Sequence, residues 1–288
     1  MIVVSAFSYG TTAIFAKIAY AQGATMISML AARFTIACLV IWLLILVTRQ
    51  PAGISLPDLK QMALLSTLGY GIGSTFYFLA VKMLPASLAS MLLYMYPVLV
   101  VVAELLLYRR QVTRVKGVAL FLSTAGLVLI LGATVRGMNA AGIVFGLGAA
   151  VAYSAYLLYG DKVAKEKPPL LTTGYMLAFA AAGFTLYALI SGTLVFNLSP
   201  TGWWSIAGLA VISTAMAILT LFIGLQWLEA SHAAIISTFE PVFTVVCAAM
   251  LFSEVIHPLQ VLGGLLVLGA ILLLQVKQTK HSKQDLLD

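Results

Sequence analysis

Ser237-Thr-Phe-Glu-Pro-Val242 lies in the middle of an apolar run near the C-terminus. It sets a carboxylate, Glu240, and a helix-breaking proline, Pro241, where a membrane helix is otherwise apolar. Stepping back 144 positions, half the length of the 288-residue chain, gives Leu93-Tyr-Met-Tyr-Pro-Val98, with Pro97 in the equivalent place. Between Phe78 and Val102, nine of 25 pairs at this offset are identical, including Ala86/Ala230, Ser87/Ser231 and Pro97/Pro241. So apolar a composition would give roughly three by chance. The chain reads as one unit written twice.

The composition sets the class. The chain is 62% hydrophobic and 9% charged, with mean hydropathy +1.07, whereas soluble globular domains carry about 25% charged residues. Strand alternation is missing, and helices satisfy their own backbone hydrogen bonds, as a bilayer demands. The reading is an all-α membrane protein with ten transmembrane helices, expected at 2–21, 27–47, 59–81, 87–107, 114–132, 140–160, 171–190, 201–225, 232–252 and 258–276. Gln22-Gly23, Pro51, Leu84-Pro85, Pro168-Pro169 and Ser199-Pro200 mark the turns. The halves are expected at 1–134 and 135–276, followed by a disordered basic cytoplasmic tail over 277–288.

The net charge of +7 is topology signal rather than a nucleic-acid footprint, because the basic residues sit in short loops between apolar runs. With the N-terminus inside, twelve Lys and Arg residues face the cytoplasm, from Arg49 and Lys60 to Lys280 and Lys283. Only Lys82 and Arg136 fall outside. Both termini are expected in the cytoplasm, with Trp203 and Trp204 at the outer interface. Ala19-Tyr-Ala21 resembles a signal-peptidase site, but no basic segment precedes it and Lys17 interrupts the run, so a retained first helix is expected. Cys38 and Cys247 lie in apolar runs and read as small buried hydrophobes.

Five helices per copy is an odd number, so the second copy must enter the membrane inverted. Inverted repeats build secondary transporters, with the substrate site near the midplane between the halves. Glu240 lies too deep to snorkel, and a charge there costs several kcal/mol unless paired or protonated. It can bind a proton or a substrate ammonium group, or it can be a neutral acid bonded to a neighbouring helix. Pro97 and Pro241 free the carbonyls of Leu93 and Ser237 and are candidate hinges or simple kinks. Gly69 and Gly73, and Gly142 and Gly146, are small pairs for close helix packing.

Hydroxyls that packing alone leaves unexplained add candidates for substrate or proton binding: Tyr9, Thr12, Tyr70, Ser74, Tyr77, Tyr94, Tyr96, Tyr153, Tyr156, Thr214 and Ser237. For any one of them a core hydrogen bond is the plainer role. The path is expected along helices one, three, four, six, eight and nine. Helices 114–132 and 258–276, almost purely aliphatic, serve as scaffold. Lys17 and Arg33 read as snorkelling cations near helix ends or as an electropositive outer mouth, and Glu104 as interfacial beside Arg109 and Arg110.

These residues resemble the drug/metabolite transporter superfamily, specifically its EamA-type ten-helix exporters. The matching pieces are Tyr9-Gly10 with Lys17, Ala31-Ala-Arg-Phe34, Tyr77-Phe-Leu-Ala80 with Ala86-Ser-Leu-Ala89, and Tyr96-Pro97-Val98. The second copy adds Ala230-Ser231, Glu240-Pro241-Val242, Glu254, Gly263 and Gly269. The resemblance implies inner-membrane transport of small metabolites, often export of amino acids or related compounds, through a central cavity and with no cofactor. One departure stands out: the family's Glu at the end of helix four is Arg110 here.

The partners expected are a small-molecule substrate and the lipid bilayer; no oligomeric state follows from the sequence. An intramembrane aspartyl protease needs two facing carboxylates, and Asp161 is the only Asp near a helix. His232, His257 and His281 lack a metal spacing, and no Gly-x-Ser-x-Gly elbow or Walker A motif occurs. A passive channel or a non-transporting scaffold is the competing class.

Overall fold

The computed structural model describes residues 1–51, 53–84, 86–107, 109, 112–131, 139–194, 197–252 and 257–284. Among these, all regular structure is helical. Span one is Ile2–Gly10 continued by Thr12–Ala21, and span two is Met26–Val47. Span three joins Leu56–Ser66 to Thr75–Met83 through a π-helical stretch, Thr67–Ser74. Span four is Ala86–Leu93 followed by Tyr96–Leu107, and span five is Arg114–Leu131. Spans six and seven are Ala140–Glu166 and Pro169–Ile190. Span eight carries its π-stretch at Val211–Met216, between Pro200–Ala210 and Ala217–Leu225. Span nine is Ala230–Ser237 then Glu240–Phe252, and span ten is Pro258–Gln284. Seven helices are long and apolar enough to cross a membrane, with Tyr96–Leu107 and Pro258–Leu274 as shorter apolar pieces. The protein is an all-α, multi-pass membrane protein.

The 144-residue offset survives into local structure. Ser55 and Ser199, 144 apart, both cap helices by accepting a backbone N–H three residues on, from Asp58 and Gly202. The π-stretches begin at Thr67 and Val211, and the broken fourth spans resume at Tyr96 and Glu240. A π-stretch in mid-helix frequently marks a functional site. The proline effect exceeds a kink: the helix stops for two residues before Tyr96-Pro97 and before Glu240-Pro241. Thr238 covers part of the break by donating its hydroxyl to the Ile235 carbonyl at 2.6 Å. The last helix continues to Gln284, into the stretch the sequence assigns to a tail.

Contacts between equivalent spans give the orientation of the halves. Between spans two and seven, Ser28 donates to the Thr193 carbonyl (2.9 Å), Thr35 meets Thr185 (3.3 Å), and Trp42 donates to the Gly174 carbonyl (3.2 Å). One helix advances as the other recedes, so the two run antiparallel. Spans five and ten behave alike: Gly126 faces Leu266 and Val267, whereas Ile130 faces Gly263. Equivalent helices that are antiparallel make the second half inverted. At the span five–ten crossing a Cβ on either Gly126 or Gly263 would stand 2.5 Å from the other's carbonyl oxygen, so the backbones touch.

Around that frame, span six packs on spans three and four, and span one packs on spans eight and nine. Apolar side chains such as Leu39 (65% exposed), Leu43 and Leu106 face outward, where lipid covers them. A buried ion cluster ties the halves together at one end. Lys116 donates to Glu104 (3.3 Å) and to Glu229 (2.9 Å), and Glu104 accepts the Ser231 backbone N–H (3.1 Å). Glu104, read from the sequence as interfacial, is 2% exposed and packed inside the protein. Its partner Lys116 comes from the start of span five, which the sequence assigns to a loop-side basic cluster.

Candidate functional site

Spans one, three, four and six converge on a nest of tyrosines. Tyr9, from the end of the first half of span one, shares a hydrogen bond with the Tyr70 hydroxyl (3.3 Å). Tyr70 projects from the π-stretch of span three, and Gly69 beside it leaves room for the Tyr156 ring, which an added Cβ would meet at 2.9 Å. The rings continue edge to face or tilted: Tyr70 to Tyr156 (centroids 6.1 Å), Tyr156 to Tyr153 (5.5 Å), Tyr153 to Tyr96 (4.8 Å) and Tyr96 to Tyr94 (6.1 Å). Such pairs are each worth about 0.5–1.5 kcal/mol beyond burial. Repeat symmetry underlies the set, because Tyr9 and Tyr153, Thr12 and Tyr156, Tyr70 and Thr214, and Tyr96 and Glu240 are each 144 apart.

Glu240 opens the second half-helix of span nine, with Tyr94 close to its carboxyl. Span one supports this corner closely. A Cβ on Gly10 would come within 2.9 Å of the Glu240 carbonyl oxygen, and Thr244 donates to the Gly10 carbonyl at 3.0 Å. Tyr96 donates to the Ala234 carbonyl (3.3 Å), one helical turn before Ser237, so Ser237 belongs to the same corner. Pro97 and Pro241 are buried at the equivalent breaks.

The structure therefore gathers Tyr9, Tyr70, Tyr94, Tyr96, Tyr153, Tyr156, Ser237 and Glu240. Tyr77 sits at the edge, sharing a hydrogen bond with Ser90 (2.9 Å). Two polar atoms in this region are buried with no hydrogen-bond partner, the hydroxyls of Thr12 and of Tyr156, the latter on a residue 1% exposed. Ser74 is not brought to the nest. It lines a separate cleft of about 910 Å³ between spans two, three and seven, with Tyr20 from the end of span one. The hydroxyls of Thr67 and Thr75 in that cleft are turned back onto the carbonyls of Ala63 and Gly71. Phe184 on the cleft wall stacks on Phe34 (5.2 Å), and Phe34 meets Tyr70 (5.0 Å), so an aromatic wall separates cleft from nest. Spans two and seven thus line space that the sequence assigns to other helices.

Arg33 is the residue whose importance the sequence reading missed. It is 8% exposed rather than snorkelling. Its Nε donates to the Thr214 hydroxyl (2.5 Å) and its Nη2 to the Ser213 carbonyl (3.4 Å), both in the π-stretch of span eight. Ser213 in turn shares a hydrogen bond with Thr11 at the break in span one (2.7 Å). The available signal was one charge on an otherwise apolar 22-residue helix. Among the described residues no cluster of His, Cys, Asp and Glu could hold a metal ion. The position of Glu254 lies outside the described residues, as do Arg110 and Arg136.

Comparison with known proteins agrees with this architecture. The model of the EamA-like transporter family matches twice, over residues 1–132 and 140–276. An uncharacterized transporter of Archaeoglobus fulgidus is 27% identical over 68% of this chain and 70% of its own length. The uncharacterized transporter YcbK of Bacillus subtilis is 25% identical over 96% of this chain and 92% of its own. A solved crystal structure superposes with a TM-score of 0.82, covering 97% of this chain and 96% of its own at 20% identity, a likeness of fold.

Proposed function

The chain belongs to the EamA-like transporter family, and we propose that it is a secondary transporter exporting small polar metabolites such as amino acids or related compounds. In this reading the inverted halves, 1–134 and 135–276, rock about the midplane and expose the tyrosine nest to one side at a time. Pro97 and Pro241 act as hinges, because the interrupted helices on either side of them can change angle without breaking a continuous hydrogen-bond ladder. The host membrane is the bacterial inner membrane, with both termini cytoplasmic, supported by the twelve-to-two distribution of Lys and Arg.

The observation that carries the reading is Glu240 at a helix break inside the bundle, close to Tyr94 and at the position equivalent to Tyr96 of the inverted copy. A carboxyl there costs the fold several kcal/mol if charged and unpaired. A proton or a substrate ammonium group relieves that cost in one conformation and is released in the other. Tyr9, Tyr70, Tyr94, Tyr96, Tyr153 and Tyr156 supply hydroxyls to a polar substrate and apolar ring faces to its hydrocarbon. Counterflow in proteoliposomes with the amino acids tests the reading: the wild type should show saturable exchange, and Glu240→Gln should abolish it together with its pH dependence. Unimpaired exchange by that variant removes Glu240 from the mechanism. Non-saturable flux would favour a passive channel.

A further inference from the structure

Arg33 carries a consequence beyond Glu240. Its guanidinium is a buried cation in the membrane-spanning part of the bundle, seven residues into span two. Both hydrogen bonds the structure gives it go to neutral oxygens, the Thr214 hydroxyl and the Ser213 carbonyl. Thr214 already donates its proton to the Leu209 carbonyl (2.8 Å), so toward Arg33 it is an acceptor held in place by the π-stretch. Guanidinium offers five donors in a planar fork that matches a carboxylate, and two are used. No acidic side chain forms an ion pair with it among the described residues. Buried charges are ordinarily paired, and neutral acceptors orient a cation without cancelling its charge.

The surroundings supply the opposite end. Arg33 packs through its neighbour Phe34 onto Tyr70, and Tyr70 bonds Tyr9. Tyr9 adjoins Gly10, whose backbone touches Glu240. Buried Arg33 and partly exposed Glu240 thus flank one group of tyrosines, where the Tyr156 and Thr12 hydroxyls are unpartnered.

We infer that Arg33, oriented by Thr214 and Ser213, is the carboxylate subsite of the transport site, and that the ligand class is a zwitterion whose carboxylate meets Arg33 and whose ammonium meets Glu240. This rests on the transporter reading and sharpens it. A ligand carrying both charges pairs with both groups at once and stays neutral overall. A cationic amine or an anionic acid of the same shape leaves one of them open.

The test is ligand-induced thermal stabilisation of the full chain in detergent, with three matched mixtures of the twenty L-amino acids: free, as methyl esters, and as N-acetyl derivatives. The free acids should stabilise the wild type at concentrations at least tenfold lower than either derivative. Arg33→Lys should lose the preference for free acids over esters, and Glu240→Gln should lose the preference for free acids over N-acetyl derivatives. Equal response of the wild type to free acids and esters overturns the carboxylate subsite while leaving Glu240 and the transporter reading intact. So does an Arg33→Lys variant that melts lower yet keeps the free-acid preference, the result a purely structural arginine would give. A wild type indifferent to all three mixtures overturns the zwitterion class, and counterflow with the same amino acids shows whether transport of that class fails with it. The wild-type comparison requires no variant and stands even if Arg33→Lys does not fold.

Discussion

The two halves of the molecule break their fourth helices at equivalent positions and put different chemistry there. In the first half the new half-helix starts with Tyr96, whose hydroxyl reaches the Ala234 carbonyl; in the second it starts with Glu240, close to Tyr94. Span two of the first half carries Arg33, and 144 residues on, in span seven, stands buried Leu177. Backbone breaks, caps and π-stretches are duplicated, while the ionisable groups of the site are not. Symmetry is a property of the scaffold, because either half must bury the same helix faces. Asymmetry is a property of the site, because a substrate with distinct ends needs distinct partners.

The largest expected effect comes from breaking that asymmetry. Glu240→Gln should abolish saturable counterflow, whereas Tyr96→Phe at the equivalent position, losing one hydrogen bond worth about 0.5–1.5 kcal/mol, should keep most of it. Equal loss in both variants would mean that the break itself, rather than the acid, is essential. Next comes the ion cluster that joins the halves. Lys116→Met removes one partner from buried Glu104, a change that costs about 3–5 kcal/mol, and should lower the thermal midpoint in detergent by several degrees. An unchanged midpoint would show that this cluster contributes little to holding the halves together.

A smaller effect tests the crossing of spans five and ten. Gly126→Val must push Gly263 away, and overpacking of this sort costs about 1–3 kcal/mol. Its equivalent in the second half is already Ala270, so the comparison between halves predicts intolerance at Gly126 and its contact Gly263 but not at Ala270. The smallest effect is expected at the Lys167–Asp58 pair (2.8 Å), which also links the halves but is partly exposed. Asp58→Asn there should leave the thermal midpoint nearly unchanged. A loss as large as that of Lys116→Met would show that the pair is effectively shielded from water.

Much of this was legible before any coordinates. Apolar runs and turn residues placed all ten spans within about three residues of their observed starts, because a bilayer leaves the backbone little alternative to helices. Span ten runs further than expected, to Gln284. Proline and its repeat partner located the helix breaks, since ring closure removes a donor wherever the proline stands. The candidate tyrosines converged for the same reason: repeat partners such as Tyr9 and Tyr153 are brought to one place by the inversion. The depth and partner of Arg33 were not legible, nor was the burial of Glu104. Whether a charge a few residues from a helix end reaches water or points inward depends on which face the helix turns to its neighbours. Ser74 fails to join the nest on the same ground, facing the cleft while Tyr70, four residues earlier, faces Tyr9.

The sequence by itself determined the class, the helices, the duplication and, through an odd number of helices per copy, the inversion, all consequences of local pattern and bilayer thickness. The tertiary structure alone decided which polar groups share one space: Arg33 against the second π-stretch, Glu240 against Tyr94, Glu104 against Lys116. Those pairings join residues far apart in the chain, and helix rotation and crossing fix them. Rotation and crossing follow from how all the spans pack together, which no short stretch of residues encodes.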